Sequence, residues 1–288
     1  MTATMPPATP ASAPQPIRSK IGGAVLMAAA PLLAVACLLL LIAVTDRLDA
    51  LLLGGVFCLM GGSWGFDLGR RMRLPDGWTV MQRDARPPVV YLRPFFEDGR
   101  QIYDGPVGRR LGGEGHGASA KRSASHEREI AGALARIGPL IAIGKPGDRV
   151  APFGAARVYV GDDVWQETVL KLIRRAAIVI LQPETTQGTW WELNAVVGTT
   201  DWRRVLMLVP DPTLRPLGYG RIRQLTAQVL PSPLPEPSVK CDAFMFDAAG
   251  TASPIVLSSE PERALAPFLA QVRQLEAARI EKGPRVLA

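Results

Sequence analysis

Two long apolar runs open the chain, and then the pattern changes. Ile21–Thr45 (IGGAVLMAAAPLLAVACLLLLIAV and a threonine) carries no charge, and Leu48–Phe66 (LDALLLGGVFCLMGGSWGF) carries one. Crossing the ~30 Å of a bilayer's hydrocarbon takes about 20 apolar helical residues, so the first run meets that length and the shorter second one nearly does. Pro31 lies inside the first run, where a bilayer helix tolerates it. Only Asp46-Arg47 separates the two, which predicts a helical hairpin. Gly54, Gly55, Gly61 and Gly62 have the small-residue spacing that lets a second helix pack close to the first. The first 20 residues, rich in Ala, Pro and Thr, read as a disordered tail, and 70–85 as a juxtamembrane linker.

From Arg86 onward, short apolar runs alternate with amphipathic stretches. PPVVYLRPFF is a buried strand, and the Gly- and Ser-rich 99–125 a flexible loop. HEREIAGALARI is a helix with Ile130, Leu134 and Ile137 on one face. PLIAIGKPGD is a second strand, and ARVYVGDD a short extended segment. Asp162 or Asp163 is the expected cap of a helix over VWQETVLKLIRRA. AAIVILQP, continuous and β-branched, has the composition of a central parallel strand. TWWELNAVVG opens another helix, RRVLMLVPD is a fourth strand, and DAFMFD an edge strand after the Pro-rich 231–237. PERALAPFLAQVRQLEAARI closes the chain as a helix. This alternation predicts an α/β domain over 86–288, a parallel sheet with helices on both faces.

In such sheets ligands sit beyond the carboxyl ends of the strands. That rule selects three clusters: Arg93, Phe95, Glu97 and Asp98 after the first strand; Gly144, Lys145, Pro146 and Gly147 after the second; and Thr185, Thr186, Gly188, Trp190, Trp191 and Glu192 after the third. A carboxylate beside aromatic rings, partly desolvated, suits ribose hydroxyls or a developing sugar cation. The bland reading of Glu192 is a helix-opening acid favoured by the dipole. For Arg93 it is an ion pair with Glu97 or Asp98, and for Lys145 an exposed turn lysine.

The stretch Val89–Val209 resembles a Toll/interleukin-1 receptor (TIR) domain. The likeness lies in VVYLRPFFED, in the glycine-containing loop after the second strand, and in AAIVILQPETTQGTWWEL. It implies a flavodoxin-like sheet. In the enzymatic members a glutamate opening the helix after such a strand is catalytic for NAD cleavage, which maps onto Glu192. That family has a tryptophan four residues before the glutamate. Here Gly188 holds that place, and Trp190 and Trp191 follow. The block IGPLIAIGKPGD…GAARVYVGDDVWQETV…WWEL is also similar to bacterial membrane proteins with two helices before a TIR-like domain.

Composition narrows the rest. The chain has 288 residues and a formal net charge of +7, but its Lys and Arg are dispersed, with no basic helix or zinc finger, so nucleic acid is not expected. Arg18 and Lys20 before the first apolar run, and Arg70, Arg71 and Arg73 after the second, outweigh the short turn. That bias puts both termini in the cytoplasm of a bacterial inner membrane. The three cysteines exclude a disulfide framework, and Cys37 sits inside an apolar run that continues past it, unlike a lipoprotein site. His116 and His126 lack ligand spacing, so neither a metal nor a resident cofactor is expected. GGEGHG (Gly112–Gly117) has no strand before it and is not a phosphate loop.

Three readings follow. The first is a membrane-tethered TIR-like enzyme cleaving or binding NAD or a related nucleotide, with Glu192 catalytic and Arg93, Phe95, Lys145, Trp190 and Trp191 holding the ligand. The second is a TIR-like module acting through self-association. The third is a subunit of a membrane complex, its hairpin embedded in the lipid bilayer.

Overall fold

In the computed structural model, described over residues 16–44, 48–93, 130, 132–144, 151, 154–183, 187–209, 216–236, 241–257 and 261–281, the two apolar runs are helices α1 (Lys20–Val44) and α2 (Leu48–Met72). At 1.5 Å per residue each reaches about 37 Å, enough to cross a membrane. Their apolar side chains face outward: Ile21 is 80% exposed, Phe57 72% and Leu32 69%. Exposed apolar faces of this size mark a surface that meets a membrane or another protein.

Glycine sets the spacing between the two helices. A Cβ on Gly23 would stand 2.6 Å from the Gly69 carbonyl oxygen, and one on Gly69 would stand 2.6 Å from that of Gly23. No side chain fits there, and the backbones meet directly. Gly54, Gly55 and Gly62 pack against α1 as the spacing predicts, whereas Gly61 faces open space. The helix continues six residues beyond Phe66, carrying Asp67, Arg70 and Arg71 within it.

The segment from Pro16 to Ser19 ties the hairpin to the rest of the protein; residues 1–15 of the expected tail lie outside the described residues. Ser19 donates its amide to the Met72 carbonyl (3.0 Å), and its Oγ accepts from Gly22 N (2.8 Å). The Arg18 guanidinium reaches Asp76 Oδ2 at 3.4 Å and lies over the Tyr159 ring, 5.8 Å from its centroid. Asp76 also caps α3 (Gly77–Arg83), accepting from the Thr79 amide and hydroxyl. Burial acts against its charge, but these hydrogen bonds and Arg18 hold its carboxyl below the usual range.

The domain is built on one seven-stranded sheet. In chain order its strands are β1 (Val89–Leu92), β2 (Leu140–Ile143), β3 (Ala156–Val158), β4 (Ile178–Leu181), β5 (Val205–Leu208), β6 (Ala243–Phe246) and β7 (Ala252–Ile255). Their spatial order is β3-β2-β1-β4-β5-β6-β7. The first five are parallel, with Val90 opposite both Ile141 and Val179. Every residue of β1, β4 and β5 is buried, as in strands covered on both faces. Val90, Leu92, Val179 and Leu181 pack toward α4 (Trp165–Arg175), α5 (Gln187–Thr199) and α6 (Pro216–Thr226). Val89, Tyr91, Ile178 and Ile180 face Ile130 and Leu134 and the closing helix α8 (Ala266–Glu281), which follows the short α7 (Pro261–Ala264).

The expected parallel sheet is corrected to a mixed one, and its parallel strands, ordered 3-2-1-4-5, differ from the 2-1-3-4-5 order of a flavodoxin-like sheet. β6 runs antiparallel to β5, and β7 antiparallel to β6. DAFMFD is therefore an inner strand, and the edge is ASPI, whose proline masks it in the sequence. The Asp247 amide bonds the Thr251 carbonyl, and alternation from that pair points the backbone nitrogen at position 254 away from β6. Pro254 has no N–H to offer there, which blunts the edge. The opposite edge, β3, is covered by α3. A Cβ on Gly77 would stand 2.5 Å from Val158 Cγ2, so only glycine lets the helix approach this closely.

Two further expectations change. α4 starts after Val164 with no side-chain cap, so neither Asp162 nor Asp163 caps it. The 70–85 linker is largely helical, through the end of α2 and α3. The loop 99–125 lies outside the described residues.

Candidate functional site

The parallel strands run outward in both directions from β1: β2 and β3 to one side, β4 and β5 to the other. The order reverses between β1 and β4, and the crevice beyond their carboxyl ends is where an open α/β sheet presents a ligand site. Backbone pairing extends one residue past β4, the Gln182 amide bonding the carbonyl of Leu92, the last residue of β1, at 2.9 Å.

At this rim Tyr91 donates its hydroxyl to Gln182 Oε1 at 2.6 Å, joining the two strands across the crevice. Arg93 is the first residue past β1. It is buried, 5% exposed, with its guanidinium over the Tyr91 ring at 5.7 Å from the centroid. A desolvated guanidinium beside an aromatic face is a strong anion partner, because little water competes for it. Tyr91 and Gln182 were absent from the sequence-based set. Their signal is a polar tip on an otherwise apolar strand and the first polar residue beyond one.

On the other face of the sheet, α5 follows β4. The helix starts at Gln187, two residues earlier than TWWEL suggests, so Glu192 lies in its second turn and has no helix-opening role. Thr189, Glu192, Leu193 and Val196 form the buried stripe of α5. Glu192 is 7% exposed, and no ion pair or hydrogen bond to its carboxyl occurs among the described residues. Burial alone pushes its pKa up from 4.5 to about 8, so at neutral pH the carboxyl is mostly protonated.

The two tryptophans diverge. Trp191 meets Trp165 of α4 edge-on, with centroids 4.8 Å apart and planes at 67°. Trp190 packs with Pro183 and Leu193 against Ile222 and Leu225 of α6, leaving a gap of only about 10 Å³. Both rings thus work in helix packing, one on each side of α5, and Trp165 is core as its spacing with Val169 suggested. Phe95 and Lys145 lie outside the described residues, as do Glu97, Asp98, Thr185 and Thr186. Arg93 and Glu192 share the carboxyl-end rim but belong to opposite faces, and no contact joins them.

No family model matches this chain. No curated protein and no solved structure matches it either. What the site can do therefore rests on its own chemistry: a buried guanidinium at the reversal point, a tyrosine–glutamine bridge across it, and a neutral buried carboxyl behind it. Among the described residues no group of His, Cys, Asp and Glu is arranged to hold a metal ion.

Proposed function

We propose that this protein is a membrane-anchored, TIR-like domain that binds or cleaves NAD or a related nucleotide, with Glu192 as its catalytic group. The observation that carries the reading is Glu192: a carboxyl buried in the second turn of the helix after a central strand, with no partner among the described residues, is costly for folding. Such uncompensated acids are concentrated at functional sites. The reversal of strand order between β1 and β4 supports a ligand there, since open α/β sheets bind ligands beyond the carboxyl ends of their strands at that point. The sequence after β1 is Arg-Pro-Phe-Phe rather than glycine-rich, so the phosphates are assigned to Arg93, not to a backbone cradle.

The proposed chemistry follows from the protonation state. Nicotinamide in NAD is a cationic ring. Brought near Glu192, it favours the carboxylate and displaces the proton. As the glycosidic C–N bond breaks, its electron pair passes to the ring nitrogen, neutralising it, and the carboxylate stabilises the sugar cation left behind. Water adds to that carbon and loses a proton. At pH 7 binding should release close to one proton per site, read as a difference in binding heat between buffers of unlike ionisation enthalpy.

The hairpin is assigned to a bacterial inner membrane with both termini in the cytoplasm, because Arg18, Lys20, Arg70, Arg71 and Arg73 gather at one end of it. The test uses the full chain in lipid nanodiscs, incubated with NAD while nicotinamide release is followed. Turnover lost in Glu192→Gln supports the enzyme. Absence of turnover in the natural chain, including after enforced clustering, refutes it.

That outcome favours a second reading, a non-catalytic module acting by self-association. The observation on its side is that Glu192 shares the core-facing stripe of α5 while both tryptophans are occupied by neighbouring helices. With one sheet edge covered by α3 and the other carrying Pro254, that association would use helix or hairpin faces.

A further inference from the structure

A second cavity lies at the opposite, amino-end edge of the sheet, between α3 and the starts of β2 and β3. It measures about 390 Å³, within the ~300–1,000 Å³ typical of small-ligand pockets. We propose that it takes the acyl chain of a membrane-borne fatty acid, with the carboxylate at its mouth.

Three observations converge on that occupant. The walls are apolar: Leu74, Pro75, Val80, Leu140 and Ala156 line the cavity with small neighbours. Apolar cavities hold apolar guests in preference to water. The location is close to the hairpin: Leu74 and Pro75 lie two and three residues past the end of α2, whose last turn carries Arg70 and Arg71. With the hairpin in the membrane as proposed, those arginines stand at headgroup depth, and an acyl chain would have a short path from the lipid to this cavity.

The third observation is charge. Arg86 and Arg157 line the cavity, and no acidic residue does so among the described residues. Arg86, half-exposed at the mouth, holds Asp84 through Nε–Oδ1 (2.9 Å) and Nη2–Oδ2 (2.6 Å) and gives Nη1 to the Ala135 and Arg136 carbonyls. Arg157 is 1% exposed in the floor. Asp84 and the two carbonyls take four of the five Arg86 N–H groups, so a carboxylate head would meet only the remaining Nη2–H, and the chain contributes most of the affinity. The volume suits one chain and excludes the two of a phospholipid. The proposal shares only membrane anchoring with the NAD reading, and the cavity lies at the other end of the strands.

The full chain in phosphatidylcholine nanodiscs would be photolabelled with a diazirine-bearing dodecanoic acid and mapped by peptide mass spectrometry. Label is expected on peptides holding Leu74–Val80 and Ala135–Leu140, saturable and displaced by plain dodecanoic acid. Ala135→Trp, at an exposed position on the rim, and Val80→Trp, inside, should each cut it about tenfold, a loss near ~1.4 kcal/mol. Arg86→Gln should cut it about threefold. An unchanged melting temperature in Ala135→Trp separates blocking from misfolding. Label confined to α1 and α2, or unaltered in both tryptophan variants, overturns the proposal, whatever the outcome with NAD.

Discussion

Replacing Glu192 with Gln should stabilise the protein, and the gain should grow with pH. Folding places the carboxyl on the buried stripe of α5 and raises its pKa from 4.5 to about 8 by desolvation. Below the unfolded value both states are protonated and the group adds no pH-dependent term. Between the two values the unfolded chain releases its proton and the folded chain keeps it, so stability falls by ~1.4 kcal/mol per pH unit. Over the three to four units between them the sum reaches ~4–5 kcal/mol, an upper bound because a buried site relaxes and admits water. Above the folded value the loss is complete and the curve flattens. Glutamine keeps the shape and carries no charge. The variant should match the natural chain near pH 5 and exceed it by about 2–4 kcal/mol at pH 8.5, or roughly 5–15 °C in melting temperature for a domain of this size. The assay is thermal unfolding of both chains in the same detergent from pH 5 to 9. A difference that stays flat with pH, or a natural chain that gains on the variant as pH rises, would falsify the burial argument.

Other expectations follow from single contacts. Tyr91→Phe removes the 2.6 Å bond to Gln182 and should cost about 0.5–1.5 kcal/mol in the same unfolding assay. Gly69→Leu forces side-chain atoms into the Gly23 backbone and should part the hairpin, lowering the melting temperature in the same assay. Pro254→Thr restores an outward N–H on the β7 edge and should raise the dimer and aggregate fraction in light scattering while barely moving the melting temperature.

The apolar runs were legible because a bilayer asks for length and hydrophobicity, which a sequence displays without reference to any other part of the chain. The strands VVYL, LIAI, IVIL and VLML were legible for a similar reason: burial on both faces writes a continuous apolar run. Elements that rely on neighbours were not. α3 (GWTVMQR) is too short to show a period and forms because Asp76 caps it and Val158 receives Gly77. α6 (PLGYGRIRQLT) carries two glycines and a proline and gains its order from packing against the sheet. β7 contains a proline that reads as a strand breaker until its nitrogen is seen to face away from β6.

For the candidate site, the sequence determined which residues follow the carboxyl ends of the strands, because chain order alone dictates that Arg93 follows β1 and Glu192 lies just beyond β4. Tertiary structure decided how they relate. Strand alternation puts Arg93 on one face of the sheet with Tyr91, and the crossover carrying α5 puts Glu192 on the other. The phase of α5 turns the carboxyl inward and the two tryptophans toward separate helices. That phase depends on where the helix begins and what packs around it. The raised pKa follows from that placement, since desolvation belongs to surroundings that no single stretch of sequence contains.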